Sequence, residues 1–196
     1  MLTDIDGCIP GDLVVLEPLT LEHVAALSLA VADGELWHLW YTNIPRPSDM
    51  KNYICDALHQ EDRGEGLAFV VRERSSGIIV GTTRICNWEQ EHRRLEIGYT
   101  WYAKSAQRKG LNVETSLLLL SYAFETLDVM AVEYRTHWNN EAAREAISRL
   151  GAQQDGVLRN HRILNDGTVR DTVVYSIIES EWPEVKAHLK QRLMNS

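Results

Sequence analysis

The chain alternates between two rhythms of apolar residues. Residues 12 to 19, DLVVLEPL, are dense in β-branched and apolar side chains and predict a first strand. From Thr20 the spacing changes. Leu21, Val24, Leu27 and Val31 recur at helical intervals behind a threonine able to cap, which predicts a helix over TLEHVAALSLAVAD. GELWHLWYTNIPRP, aromatic and then punctuated by proline, reads as a long loop or broken helix, and MKNYICDALHQ as a second short helix. GLAFVVRE, IIVGTTRICNW and RRLEIGYTWYA predict three successive strands, the first two separated by the turn signal Ser75-Ser76-Gly77.

VETSLLLLSYAFETL is apolar around most of a helix circumference, so it belongs at the centre of the molecule. AVEYRTHW follows as a strand. NNEAAREAISRLGA then reads as an amphipathic helix with Asn139 or Asn140 as cap and Gly151 as stop. DGVLRN and VRDTVVYSII form two more strands around Asn165-Asp166-Gly167, and WPEVKAHLKQRL is a last helix with Pro183 in its first turn. The order β-α-α-β-β-β-α-β-α-β-β places a strand–helix–strand unit after a meander, so the sheet is expected to be mixed. No repeat, low-complexity tract or internal boundary interrupts it, and residues 1–196 read as one domain.

Composition narrows the partners. A formal charge of −8 argues against non-specific nucleic-acid binding and favours cationic partners such as amines, although such a charge also simply keeps a protein in solution. Cys8, Cys55 and Cys86 form no CxxC pair and fit reduced thiols in a cytoplasmic protein. No apolar run approaches the ~20 residues of a membrane span, so no membrane partner is expected. The seven histidines have no metal-binding spacing, so no metal is expected.

The most informative stretch is SAQRKGLN, residues 105 to 112, between a strand and the central helix. A tight connection there leaves the first amides of the helix free, which is a ready anion site. Gly110 allows a sharp turn and close approach of a bulky phosphate, Asn112 tolerates left-handed backbone, and Arg108 and Lys109 add positive charge. A pyrophosphate is the natural guest.

QRKGLN after EIGYTWY, together with NEAAREAISRLGA, resembles the GNAT superfamily of acyl-CoA-dependent N-acetyltransferases, and within it the RimJ/RimL-like branch. The resemblance covers nearly everything from Asp12 to Ile178. It implies an α/β (α+β) fold, a GNAT-like central mixed, mostly antiparallel sheet flanked by helices, with acetyl-CoA as co-substrate. In that family a Q/R-x-x-G-x-G/A loop cradles the coenzyme A pyrophosphate. Gln107 and Gly110 match it, Leu111 lies between, and Asn112 replaces the second glycine or alanine. Asn140, Leu150 and Gly151 match the family's later helix, whereas Ala143 stands where serine is common. Backbone amides from Trp101, Tyr102 and Ala103 would contact the acyl group and pantetheine, and Arg144 could reach the cofactor phosphates.

Acetyl transfer to an amine needs a neutral amine, a donor for the developing oxyanion and a proton for the thiolate. A lysine-type amine of pKa ~10.4 is only about one part in two thousand neutral at pH 7, so a base matters most there. Strand alternation puts Leu95, Ile97, Tyr99 and Trp101 on one face and Glu96, Gly98, Thr100 and Tyr102 on the other. The resemblance makes Glu96 the candidate base, against a structural carboxylate. Tyr122 and His137 are the candidate acids, against structural roles, with solvent as the alternative. No cysteine is expected beside the loop or Glu96, which disfavours a covalent acetyl-cysteine and favours direct transfer in a ternary complex. Trp37, Trp40 and Tyr41 are expected to wall the acceptor, a protein N-terminal α-amine or a small amine, with Trp37 the most core-like of the three. A non-catalytic acyl-CoA-binding sensor or scaffold is the other class open. The sequence leaves the oligomeric state open, a homodimer included.

Overall fold

The structure is a computed structural model that describes residues 7–164 and 167–195. Among these, eight strands form one sheet: β1 (Ile9–Pro10), β2 (Val14–Pro18), β3 (Leu67–Glu73), β4 (Ile79–Glu89), β5 (Arg94–Tyr102), β6 (Ala131–His137), β7 (Gln153–Ile163) and β8 (Val169–Ile178), in the order β1-β2-β3-β4-β5-β6-β8-β7. Every neighbouring pair is antiparallel except β5 and β6, which are parallel. The helices are α1 (Val24–Ala32), α2 (Met50–Asp62), α3 (Leu111–Ser121), α4 (Glu141–Leu150) and α5 (Trp182–Met194).

The mixed, mostly antiparallel sheet flanked by helices is the expected one. Sequence reading did not foresee β1, two residues paired to β2. Thr20 caps a 3-10 turn, Leu21–His23, rather than α1 itself, so Leu21 stays outside the apolar stripe and is exposed. Residues 34–49 are broken as expected, with 3-10 turns at Leu36–His38 and Pro47–Asp49. Asn165 and Asp166 of the expected hairpin turn lie outside the described residues, while Gly167 has the left-handed backbone such a turn uses (φ 83°).

α1 and α2 pack on β4 and β3, and α3 packs with α5 on the opposite face. Two adjacent β5 residues show the separation: Trp101 meets Tyr53 of α2, and Tyr102 meets Thr115 of α3. α3 is buried along most of its length, through Leu111, Val113, Leu119 and Leu120, which is why its sequence lacks a polar face. It continues into a π turn, Tyr122–Thr126, where Phe124 stacks on Trp182 of α5 at 5.3 Å.

The feature that positions the site is a parting in the sheet. β5 and β6 pair only through Arg94, Leu95 and Glu96 against Ala131, Val132 and Glu133. Beyond them β5 runs on to Tyr102 and β6 to His137 without pairing to each other. Glu96 sits at the fork.

Candidate active site

β5 feeds the glycine loop. After Tyr102 comes a 3-10 turn, Lys104–Ala106, then an extended Gln107, a left-handed Arg108 (φ 63°) and a left-handed Gly110 (φ 77°) that caps α3. Gly110 carbonyl accepts from Val113 and Glu114. The backbone N–H groups of Arg108, Lys109, Gly110, Leu111 and Asn112 make no hydrogen bond among the described residues. Five unspent amides at the N-terminus of a buried helix fit a diphosphate. The left-handed positions are Arg108 and Gly110. Asn112 is already in the helix, so its tolerance of such backbone is not used.

Neighbouring elements hold this loop. Asp33, at the end of α1, accepts from Lys104 N through its carbonyl (3.0 Å) and from Ser105 N through Oδ2 (2.9 Å). Gln107 Nε2 donates to Tyr102 O at 3.1 Å, so this side chain ties the loop to β5. Lys109 leans towards Glu73 at 3.7 Å. Beneath the loop, Glu114 on α3 is buried and accepts from Asp12, Leu13 and Val14 amides at 2.9, 2.7 and 2.7 Å. Sequence reading missed Glu114, whose partners lie about a hundred residues away.

The edge of β5 narrows the expected amide donors. Ala103 N donates to Val80 O at 2.7 Å, so that amide is spent on the sheet and is not available to a ligand. Successive amides of a strand point to opposite edges, which turns Tyr102 N–H to the edge that β6 has left. Upstream, the register with β4 jumps from Arg84↔Gly98 to Thr82↔Trp101. One extra residue bulges there, and Tyr99 is left-handed (φ 53°). The expected alternation therefore fails after Gly98. Tyr99 joins the Glu96 face, its ring 4.3 Å from the Arg84 guanidinium, while Thr100 turns to Thr83.

Glu96 is nearly buried, its side chain 12% exposed. Asn87 Nδ2 donates to its Oε2 at 2.7 Å, and Arg135 Nε stands 3.7 Å from the same oxygen. Its Oε1 looks over Gly98, where an added Cβ would come within 3.3 Å. Burial pushes the carboxyl above its ordinary range, opposed by the Asn87 bond and by the charges of Arg135, Arg162 and Arg170. A cavity of about 320 Å³ opens here, lined by Glu65, Asn87, Trp88, Glu89, Arg135 and Arg162. Cys86 is the cross-strand partner of Glu96, contrary to the expectation that no cysteine lies beside it. Linear distance could not show that register. The thiol is buried, and desolvation followed by the Glu96 charge raises its pKa, so it stays protonated and a poor nucleophile.

The aromatic segment meets the end of β6. Trp40 stands edge-on to the His137 ring at 5.1 Å and to Tyr41 at 5.6 Å, and Tyr41 reaches His137 at 6.3 Å. Trp37 instead packs against the core. The three do not form a helical stripe, because only Leu36–His38 is turned. His137 Nδ1 accepts from Asn139 N at 3.0 Å, which puts the proton of the neutral ring on Nε2. That nitrogen is buried without a hydrogen-bond partner among the described residues, and burial lowers the ring's pKa. His137 can therefore donate a hydrogen bond but cannot take a proton at Nε2. Tyr122 packs against the core where the π turn begins. Asn140 Oδ1 accepts from Ala143 N at 3.1 Å and caps α4, while Arg144 lies over the Trp138 ring at 4.5 Å and bonds Tyr175 Oη at 3.3 Å. Both cofactor candidates on α4 have structural partners.

Residues 14–153 match the family model for an acetyltransferase (GNAT) domain. The N-acetyltransferase YoaA of Bacillus subtilis, itself uncharacterized, is 34% identical over 63% of this chain and 67% of its own. YdaF of Bacillus subtilis, provisionally named a ribosomal N-acetyltransferase, is 34% identical over 54% of this chain and 57% of its own. Among solved structures, a GCN5-related N-acetyltransferase from Brucella melitensis superposes with a TM-score of 0.83 at 25% identity, covering 94% of this chain and 84% of that one.

Proposed function

The chain belongs to the GNAT acetyltransferase family, whose reaction is acetyl-CoA-dependent acetyl transfer, and on that premise we propose that it acetylates a primary amine directly, amine and acetyl-CoA being bound together. One observation carries this reading: a single strand, β5, bears the buried Glu96 at the fork and leads into the loop of five unspent amides. Acetyl-CoA supplies the activated acetyl group. Residues 108–112 hold its diphosphate, with Gly110 shaping the turn. Tyr102 N–H, turned to the open edge, is the donor offered to the acyl oxygen. Glu96, with its pKa raised by burial, takes the proton from the incoming amine at Oε1, directly or through one water. His137, Trp40 and Tyr41 form a wall of the acceptor side and serve orientation, and the departing thiolate takes its proton from solvent.

The likeness to YdaF, named for a ribosomal substrate, supports a protein acceptor, and the RimJ/RimL-like resemblance points to its N-terminal α-amine, with a small amine as the alternative. A non-catalytic role has no observation in its favour, since Glu96 and the loop are both intact. Because one sheet carries every strand among the described residues, we take the chain as a single domain. The deciding experiment is thiol release from acetyl-CoA across a panel of amines and peptides, with products identified by mass spectrometry. Release with none of them would overturn the proposal.

A further inference from the structure

The protein is acidic overall, yet three guanidinium groups act together on Glu96 in the cleft. Arg162 and Arg170 are directly opposed on β7 and β8, where cross-strand neighbours of like charge repel. Neither forms an ion pair among the described residues, and Arg170 Nε is buried without a hydrogen-bond partner there. Arg135, on β6, adds a third guanidinium. Arg135 is balanced by Glu133, but no carboxylate pairs with Arg162 or Arg170 among the described residues. Glu133 is bridged by both Arg94 and Arg135, Glu65 is held by Arg63 at 2.7 Å, and Glu89 is exposed. Glu96 spends Oε2 on Asn87.

The charges converge on the chemistry. Arg135, Arg162 and Arg170 all act on Glu96, all three act on His161, and Arg170 acts on His137. Burial and then Arg162 oppose the charge on Arg170, with Glu96 acting more weakly in its favour, so the folded chain keeps a half-buried cation against both desolvation and repulsion. The aromatic faces that would otherwise suit a cationic acceptor are partly taken, because Arg84 lies over the rings of Tyr53 and Tyr99 at 4.2 and 4.3 Å. An anion on the acceptor would relieve the repulsion and leave Glu96 Oε1 for the amine.

We propose that the acceptor is a primary amine bearing its own anionic group, a carboxylate or phosphate, held by Arg162 and Arg170 while the amine faces Glu96. This rests on the acetyltransferase reading above. The same chemistry arises in a small amino acid or amino phosphate and in a peptide whose N-terminal residue is acidic, and the cavity that Arg162 lines with Arg135 and Asn87 has room for such a group.

The test is a matched panel with the full chain, read as kcat/KM by thiol release. Glycine is compared with glycinamide, phosphoethanolamine with ethanolamine, and peptides beginning with Asp with peptides beginning with Asn. Each anionic member is expected to exceed its neutral partner by tenfold or more, and the arm with the largest ratio identifies the source. Arg162→Gln, at an exposed position, is expected to bring that ratio towards one with the KM for acetyl-CoA unmoved. Arg170→Lys, which keeps the charge but not the fork, is expected to lower the ratio partway. Inorganic phosphate is expected to compete with the amine and not with acetyl-CoA. Ratios near one in the native chain, or an anionic preference that survives Arg162→Gln, would overturn this inference while leaving the acetyltransferase reading intact. No turnover with any amine would overturn both.

Discussion

Asn87 donates to Glu96 Oε2 from a left-handed position in β4 (φ 49°), so a bend in one strand chooses which carboxylate oxygen of its neighbour is left free. The bond favours the charged carboxylate and opposes the effect of burial. Asn87→Ala removes it, and the Glu96 pKa rises further. The base form then appears only at higher pH. The acidic limb of kcat/KM, followed between about pH 5 and 9, is expected to shift upward while the plateau persists. In Glu96→Gln that limb is expected to disappear, with the loss greatest on the plateau, where the native carboxylate is ionised. A limb unmoved in both variants would assign the proton step to another group.

Gly110→Val places a β-branched residue at φ 77°, where L-residues are strained by roughly 1–2 kcal/mol. The loop is expected to lose its cradle and the acetyl-CoA Kd to rise at least about tenfold, while circular dichroism shows the helices retained. S-acetyl-pantetheine, which lacks the diphosphate, separates the effects. Its KM is expected to change far less, and an equal rise for both would put the defect elsewhere than the diphosphate cradle.

Trp40 is 53% exposed and makes its ring contacts with Tyr41 and His137, so its truncation leaves no core cavity. Trp40→Ala is expected to change stability by less than about 1 kcal/mol. The amine KM is expected to rise severalfold with the acetyl-CoA KM unchanged. A sharp fall in Tm with both constants intact would make Trp40 a packing residue.

Glu114 joins α3 to the start of β2 through three amides, two of them on one oxygen. Glu114→Ala leaves those amides without their acceptor in a largely dry site, at a cost of about 3 kcal/mol. Urea unfolding is expected to show that loss, with acetyl-CoA binding weakened only as far as the N-terminus of α3 loosens. A loss under about 1 kcal/mol would mean that water replaces the carboxylate.

Much of this architecture was readable because local chemistry and tertiary structure agree. Gly110 and the apolar run after it announce a loop and a buried helix, and Gly151 announces the end of α4, where it is left-handed (φ 105°). The features that escaped depend on register. One inserted residue at Tyr99 reverses the faces of the rest of β5, and no propensity marks it, since tyrosine is a good strand former. Cys86 meets Glu96 only because a second irregularity in β4 follows it. Arg135, Arg162 and Arg170 come from three strands whose order, β6-β8-β7, differs from their order in the chain. Read singly, each is an ordinary polar position on a strand.

The parting of β5 from β6 leaves two strand edges facing one another inside a single sheet. Unpaired edges invite a stray chain to add itself, and proteins ordinarily blunt them with charge, proline or a covering element. Here the edges face each other, so the groups that could recruit another molecule's backbone are kept for whatever enters the gap. The aggregation hazard and the reactive opening are thus one surface, and a change that widened the gap would endanger solubility as well as catalysis.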